Sequence, residues 1–228
     1  MSADRKLTLY AIPGLGTDER IFQHLDLDCD LVVLPWKIPS STDNLRSFAQ
    51  TLVSEIELQE PYGFLGVSFG GMLITELHHL YNPELSFAIS SVTHEVEMPF
   101  WLRNLRYNPF LWSLPSSFFK PPFDWVKHSL GITNKRHQAL FRSFYDAADP
   151  QFLKRSIQLI CNWKAPRELK PGLVKIHGKQ DKLFDVEKLI KPHYTLVGSH
   201  FLIISGAKRI SEIINQEIKA ETLADHTP

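Results

Sequence analysis

Short apolar runs recur along the chain at Leu7–Ile12, Leu31–Leu34, Tyr62–Val67, Phe87–Val92, Leu173–Ile176 and Tyr194–Val197. Their apolarity is continuous rather than alternating, the signature of strands covered on both faces, so they predict a parallel sheet between layers of helix. Between the runs lie stretches with helical spacing. In Asn44–Leu58, the residues Leu45, Phe48, Ala49, Leu52, Val53 and Ile56 fall on one face, with Asp43 or Thr42 placed to cap it. A second helix is expected after Gly70. A third opens with Asp149 as N-cap and Pro150 in the first turn, and a fourth carries Ile210, Ile213, Ile214 and Ile218. The order of strands and helices is that of a doubly wound α/β fold.

One interval breaks the rhythm. From about Glu95 to Ala148 no convincing strand occurs, but proline and aromatics are frequent, among them Trp101, Phe110, Trp112, Phe118, Phe119, Phe123 and Trp125. A disordered linker avoids aromatics, so the interval reads as a mostly helical cap. The expected organisation is a core of residues 1–94 and 149–228 with an inserted cap at 95–148. Trp101, Trp112 and Trp125 are expected to wall an apolar pocket. From Glu97 to Pro150 the segment carries seven basic residues (103, 106, 120, 127, 135, 136, 142) against four acids (97, 124, 146, 149), a hint of an anionic substrate group.

Composition narrows the partners. At 228 residues the chain suits one large α/β domain with an elaboration. Lys plus Arg is 25 and Asp plus Glu is 25, so no net field favours nucleic acid or an anionic membrane. Cys29 and Cys161 are too few for a disulfide framework, and no CxxC or His-rich spacing suggests zinc. The start MSADRKLTLYAIPG lacks the long apolar region and cleavage site of a secretory signal, and no stretch approaches the ~18 apolar residues of a membrane span. A cytoplasmic protein acting on a small molecule, without metal or cofactor, is the expectation.

The candidate chemistry starts at Tyr62–Gly71, where a strand-like run enters Gly66-Val-Ser68-Phe-Gly70 and continues into a Leu- and Met-rich helical stretch. A bare Gly-x-Ser-x-Gly is common by chance, and the strand before it and helix after it give it weight. The serine of a nucleophile elbow must sit on a sharp, strained turn that lifts its hydroxyl above the sheet. Gly66 and Gly70 keep side chains out of that turn, and Gly71 lets the helix approach. The Phe69 N–H, at the helix start, becomes one oxyanion donor. Leu15 N–H, in the turn Pro13-Gly14-Leu15-Gly16 after the first strand, is the second. That turn lacks the third glycine of a dinucleotide loop.

Two further runs end in titratable residues. Leu173-Val-Lys-Ile-His-Gly-Lys-Gln-Asp181 places a carboxylate after a strand, with Asp185 and Glu187 as competitors. Tyr194-Thr-Leu-Val-Gly-Ser-His200 places one of ten histidines after the last strand. The order Ser68, Asp181, His200, each just after a predicted strand, is that of a hydrolase triad. His78 and His79 are adjacent and cannot form the i, i+4 pair a metal wants. His94 follows a strand and is expected to line the pocket or lie at the surface.

In Ile12-Pro-Gly-Leu-Gly16, Gly66–Gly71, His177-Gly-x-x-Asp181 and Gly198-Ser-His-Phe201, the chain resembles the α/β-hydrolase superfamily over essentially its whole length. The resemblance implies the fold, the roles of Ser68, His200 and Asp181, and a cap inserted after the strand ending near Val92. Two departures stand out. Pro13 replaces the histidine that many relatives carry before the oxyanion glycine, and the first two of the usual eight strands are missing, so about six parallel strands are expected. Ser68 disfavours aspartate-nucleophile relatives such as dehalogenases. Ester, thioester or related acyl hydrolysis is the activity implied. The alternatives are a non-catalytic small-molecule receptor or scaffold, an acyl transferase and a carbon–carbon hydrolase.

Overall fold

The apolar runs become strands: β1 Thr8–Ile12, β2 Asp30–Val33, β3 Tyr62–Val67, β4 Leu85–Ile89, β5 Leu173–Gly178 and β6 Tyr194–Leu196. The computed structural model describes residues 6–190 and 192–225; residues 1–5, part of the stretch read for a secretory signal, lie outside it. The six strands form one sheet in the order β2-β1-β3-β4-β5-β6, every pair parallel, as expected. Every residue of β1, β4 and β5 is buried, as continuous apolarity requires.

The fourth strand sits earlier than its apolar run implied. Its start is set by pairing with β3, where Gly63 faces Leu85. Its end is set by Ser90, whose φ of 47° leaves the extended region.

Helices cover both faces. On one side α1 (Leu45–Val53), α2 (Phe69–Tyr81) and α7 (Pro150–Asn162) bury Phe48, Leu52, Leu73, Leu77 and Ile160 against Ile12 and Phe64. On the other, α8 (Leu202–Ser205) and α9 (Ala207–Asp225) bring Ile203, Ile210, Ile213 and Ile214 to Leu9, Leu65, Phe87 and Ile176. Fully burying side chains of this size stabilises by about 1.5–3 kcal/mol each. Asp149 caps α7 as expected, accepting from Gln151 N–H at 2.6 Å with Pro150 in the first turn.

α1 differs from its prediction at both ends. Its cap is Asn44, whose side chain accepts from Ser47 N–H at 2.9 Å while Ser47 Oγ accepts from Asn44 N–H at 3.0 Å. Asp43 instead accepts from the Ser47 hydroxyl. The helix stops at Val53 because Ile56 N–H turns back to Val53 O; Ile56 and Leu58 still pack on the same core, so the apolar period continued through a turn.

The interval 95–148 is helical, with α3 (Phe100–Asn104), α4 (Pro109–Ser113), α5 (Phe123–Ser129) and α6 (Lys135–Ala147) joined by short 3-10 turns. Its root is tied to the sheet by a buried ion pair. Glu97 accepts from the Lys175 ammonium on β5 and from Ile190 N–H. Burial pushes the Lys175 ammonium below its usual pKa, and the Glu97 charge pulls it back.

The chain passes from β1 to β2 on one side and returns to β3 on the other. The carboxyl ends of β1 and β3 therefore flank the crevice where an open α/β sheet places its ligand site. Among the described residues no helix is long and apolar enough to cross a membrane.

Candidate active site

Ser68 is the single residue between β3 and α2, with φ 53° and ψ −114°. A left-handed backbone at a non-glycine residue costs roughly 1–3 kcal/mol and persists only where the surroundings over-determine it. Here Ser68 N–H donates to Ile89 O at 2.9 Å, and its carbonyl accepts from Gly71 N–H at 2.9 Å and from Ser91 Oγ–H at 2.6 Å. A Cβ on Gly70 would overlap the carbonyl oxygens of Ile12 and Pro13, and one on Gly71 would overlap the Ser91 side chain. The glycines thus let the turn press against β1 and let Ser91 brace it.

Asp181 lies in the turn after β5, its side chain fully buried. One carboxylate oxygen accepts from Leu183 N–H at 2.8 Å and Phe184 N–H at 2.9 Å. The other accepts from His200 Nδ1–H at 2.7 Å and lies 3.1 Å from His177 Nε2. Burial opposes its ionisation, but the His200 charge and the hydrogen bonds from His177, His200 and Phe184 outweigh that and hold the carboxyl well below its ordinary range.

His200 follows β6 and completes the chain of contacts, its Nε2 standing 2.9 Å from Ser68 Oγ. Because Nδ1 must carry a proton to face a carboxylate, Nε2 accepts from the Ser68 hydroxyl whenever the ring is uncharged. Phe184 packs edge-on against the imidazole, ring centroids 5.4 Å apart.

The competing acids go elsewhere. Asp185 caps the short turn Val186–Lys188, and Glu187 is exposed. Leu15 and Phe69 both line the cavity with Ser68. The Phe69 N–H opens α2 and so has no intrahelical acceptor. The Leu15 turn is closed by the Thr17 N–H and hydroxyl, which bond to Gly14 O at 3.0 and 2.9 Å.

Above these residues lies a cavity of about 1170 Å³. Trp101 and Trp125 line it, as expected, but Trp112 does not. Trp112 stacks on Phe119 with ring centroids 5.7 Å apart and faces a separate polar pocket with Arg155 and Glu76. His94 caps the turn Glu95–Glu97 instead of lining the cavity. His78 is buried, its ring nitrogens bonded to Ser86 Oγ and Pro171 O, each at 2.9 Å.

No protein-family model matches the sequence, and no curated protein is significantly similar to it. Solved structures do resemble it in three dimensions. A thermophilic esterase from Thermogutta terrifontis superposes with a TM-score of 0.73 at 12% identity, over 94% of this chain and 90% of that one. ClbQ from the colibactin NRPS/PKS pathway does so with a TM-score of 0.63 at 17% identity, over 96% of this chain and 100% of that one. The RedJ thioesterase of the prodiginine pathway in Streptomyces coelicolor gives 0.64 at 16% identity, over 92% and 90%.

The fold is that of the α/β-hydrolases. Within that fold the sequence reading missed three supports. Ser91 carries the carbonyl of Ser68. His177 Nε2 stands between Asp181 and Phe184 O, at 3.1 and 2.9 Å; as both are acceptors, that nitrogen bears the proton. Glu97 and Lys175 are the third. Their sequence signals are weak: Lys175 is a cation inside an apolar run, and Glu97 looks like one more surface acid.

Proposed function

We propose that the protein is a serine hydrolase of carboxylic esters or thioesters, with Ser68 as nucleophile, His200 as general base and Asp181 as the acid that orients it. The observation that carries this reading is the continuous hydrogen-bonded chain from Asp181 through His200 to Ser68, opening on the cavity. His200 takes the Ser68 proton as Oγ attacks the carbonyl carbon, and the N–H groups of Leu15 and Phe69 hold the oxyanion. The imidazolium then protonates the departing alcohol or thiol. Water, deprotonated by His200, attacks the acyl-enzyme and releases the acid. Every proton is accounted for by these residues and water, so the scheme needs no cofactor.

Residues 95–148 act as the cap over the core formed by 1–94 and 149–228, and the partner is a small acyl compound. Cys29 and Cys161 are free and buried, their thiols pushed up to about 11 and about 12 by burial, which suits a reducing cytoplasm.

A fluorophosphonate probe tests the reading directly, with the labelled peptide identified by mass. Labelling at Ser68 is expected, and Ser68→Ala should abolish it and lower ester turnover roughly a millionfold with the melting temperature nearly unchanged. Undiminished turnover in that variant would overturn the mechanism.

A further inference from the structure

We infer that the substrate carries a long aliphatic acyl chain, which lies in the apolar cavity above Ser68 while a polar leaving group departs past Lys182 and Lys188. The inference rests on the hydrolase reading and adds the substrate class to it.

The first ground is size. The cavity, about 1170 Å³, exceeds the roughly 300–1,000 Å³ of ordinary small-molecule sites. An acetyl group would leave most of it filled with water against apolar walls, an arrangement that an aliphatic chain relieves.

The second is the distribution of polarity. Met72, Leu105, Leu111, Phe119, Ile157 and Ile160 are among the walls. Of the charged lining residues, Glu97 is already consumed by Lys175 and backbone N–H groups. Lys182, Asp185 and Lys188 belong to the single loop after Asp181. His128 joins that edge, its Nε2 lying 3.5 Å from Lys182 Nζ. The remaining charged side chains are thus gathered on one side, which is where a polar leaving group meets solvent and the incoming water.

The third is the rim. Phe100, Trp101, Phe118 and Trp125 line the cavity and yet are 75%, 53%, 64% and 59% exposed. Exposed apolar side chains gathered at one cavity mark a binding site, and they prolong the apolar path beyond the walls. Each methylene buried along that path contributes about 0.8 kcal/mol, a factor of about four in affinity.

The test uses the full chain and two readouts. First, kcat/KM is measured for p-nitrophenyl acetate, butyrate, hexanoate, octanoate and decanoate; it should climb about threefold to fourfold per methylene over the first members and be highest at octanoate or decanoate. Ile157→Phe, which fills the cavity, should move that optimum to a shorter chain. Second, tryptophan fluorescence of Ser68→Ala is titrated with butanoate, octanoate and decanoate below their micelle concentrations. Trp101 and Trp125 should report binding that tightens with length, a response lost when both are changed to Phe. Fastest turnover of acetate, with no response to decanoate, would overturn the chain inference and leave the hydrolase reading standing. No turnover of any ester and no probe labelling, with decanoate still binding more tightly than butanoate, would overturn the hydrolase reading and leave a chain-binding cavity.

Discussion

The carboxyl edge of the sheet and the segment from Glu95 to Ala148 meet at the same cavity but are built differently. At the sheet edge each candidate group is held from several directions. Ser68 is pinned through its N–H and its carbonyl, and the buried Asp181 carboxylate receives Leu183 N–H, Phe184 N–H, His177 and His200. Across the cavity, α3, α4 and α5 are five to seven residues long and none contains a buried residue. Helices that short are not stable alone, and of the four only α6 carries buried residues, Phe141 and Phe144. Positions that must be accurate to a fraction of an ångström are placed on strand ends. Those that need only offer apolar surface are placed on short helices.

Asp181→Asn should break the first side of this contrast most severely. Losing the orienting carboxylate lets the imidazole take the wrong tautomer, and turnover should fall about 10⁴-fold with the fold retained by circular dichroism. Asp185→Asn, which alters a turn cap at the cavity's edge and no hydrogen bond to His200, should stay within a few-fold of wild type.

The joint between the two regions comes next. Lys175→Met leaves the Glu97 carboxylate buried without its cation, and denaturant unfolding should show a loss of about 3–5 kcal/mol. Adding Glu97→Gln should recover part of that loss. If Lys175→Met alone is neutral, the pair is not what anchors the segment's root.

Acid sharpens the contrast further. The Asp181 carboxyl is depressed below its ordinary value of 3.8, so the folded state binds its proton less readily than the unfolded chain does. Its contribution is fully present above that ordinary value and is lost as pH falls through the folded one. Thermal melts should therefore show wild type and Asp181→Asn converging as pH drops below about 4. Parallel curves down to pH 2 would argue that the carboxylate adds no pH-dependent stability.

The smallest effects separate the tryptophans. Trp101→Ala and Trp125→Ala remove half-exposed cavity lining, so stability should change by about 0.5 kcal/mol or less while the ranking of ester substrates shifts. Trp112→Ala should do the reverse, since it breaks the stack on Phe119, worth about 0.5–1.5 kcal/mol, and removes no side chain that itself lines the cavity. Equal effects of all three on ranking would erase the distinction.

Strand count, parallel pairing and the burial of the central strands follow from apolar runs with no alternation, because only a doubly covered strand requires that pattern. The geometry around Ser68 was legible for a related reason. Gly66, Gly70 and Gly71 are demanded by backbone crowding, a local constraint that leaves its mark in local sequence. The Asp149 cap of α7 is of the same kind. The end of β4, the burial of Glu97 with Lys175, and the parting of Trp112 from Trp101 and Trp125 left no such mark. Each depends on which distant atoms arrive beside a residue: Ile176 O for Ser90 N–H, Ile190 N–H for Glu97, Phe119 for Trp112. By itself the sequence determined which residues stand at the strand ends. Only the tertiary structure decided that His200 lies within hydrogen-bond reach of both Ser68 and Asp181 and how large a cavity lies above them, because those distances are set by packing between segments 132 and 19 residues apart in the chain.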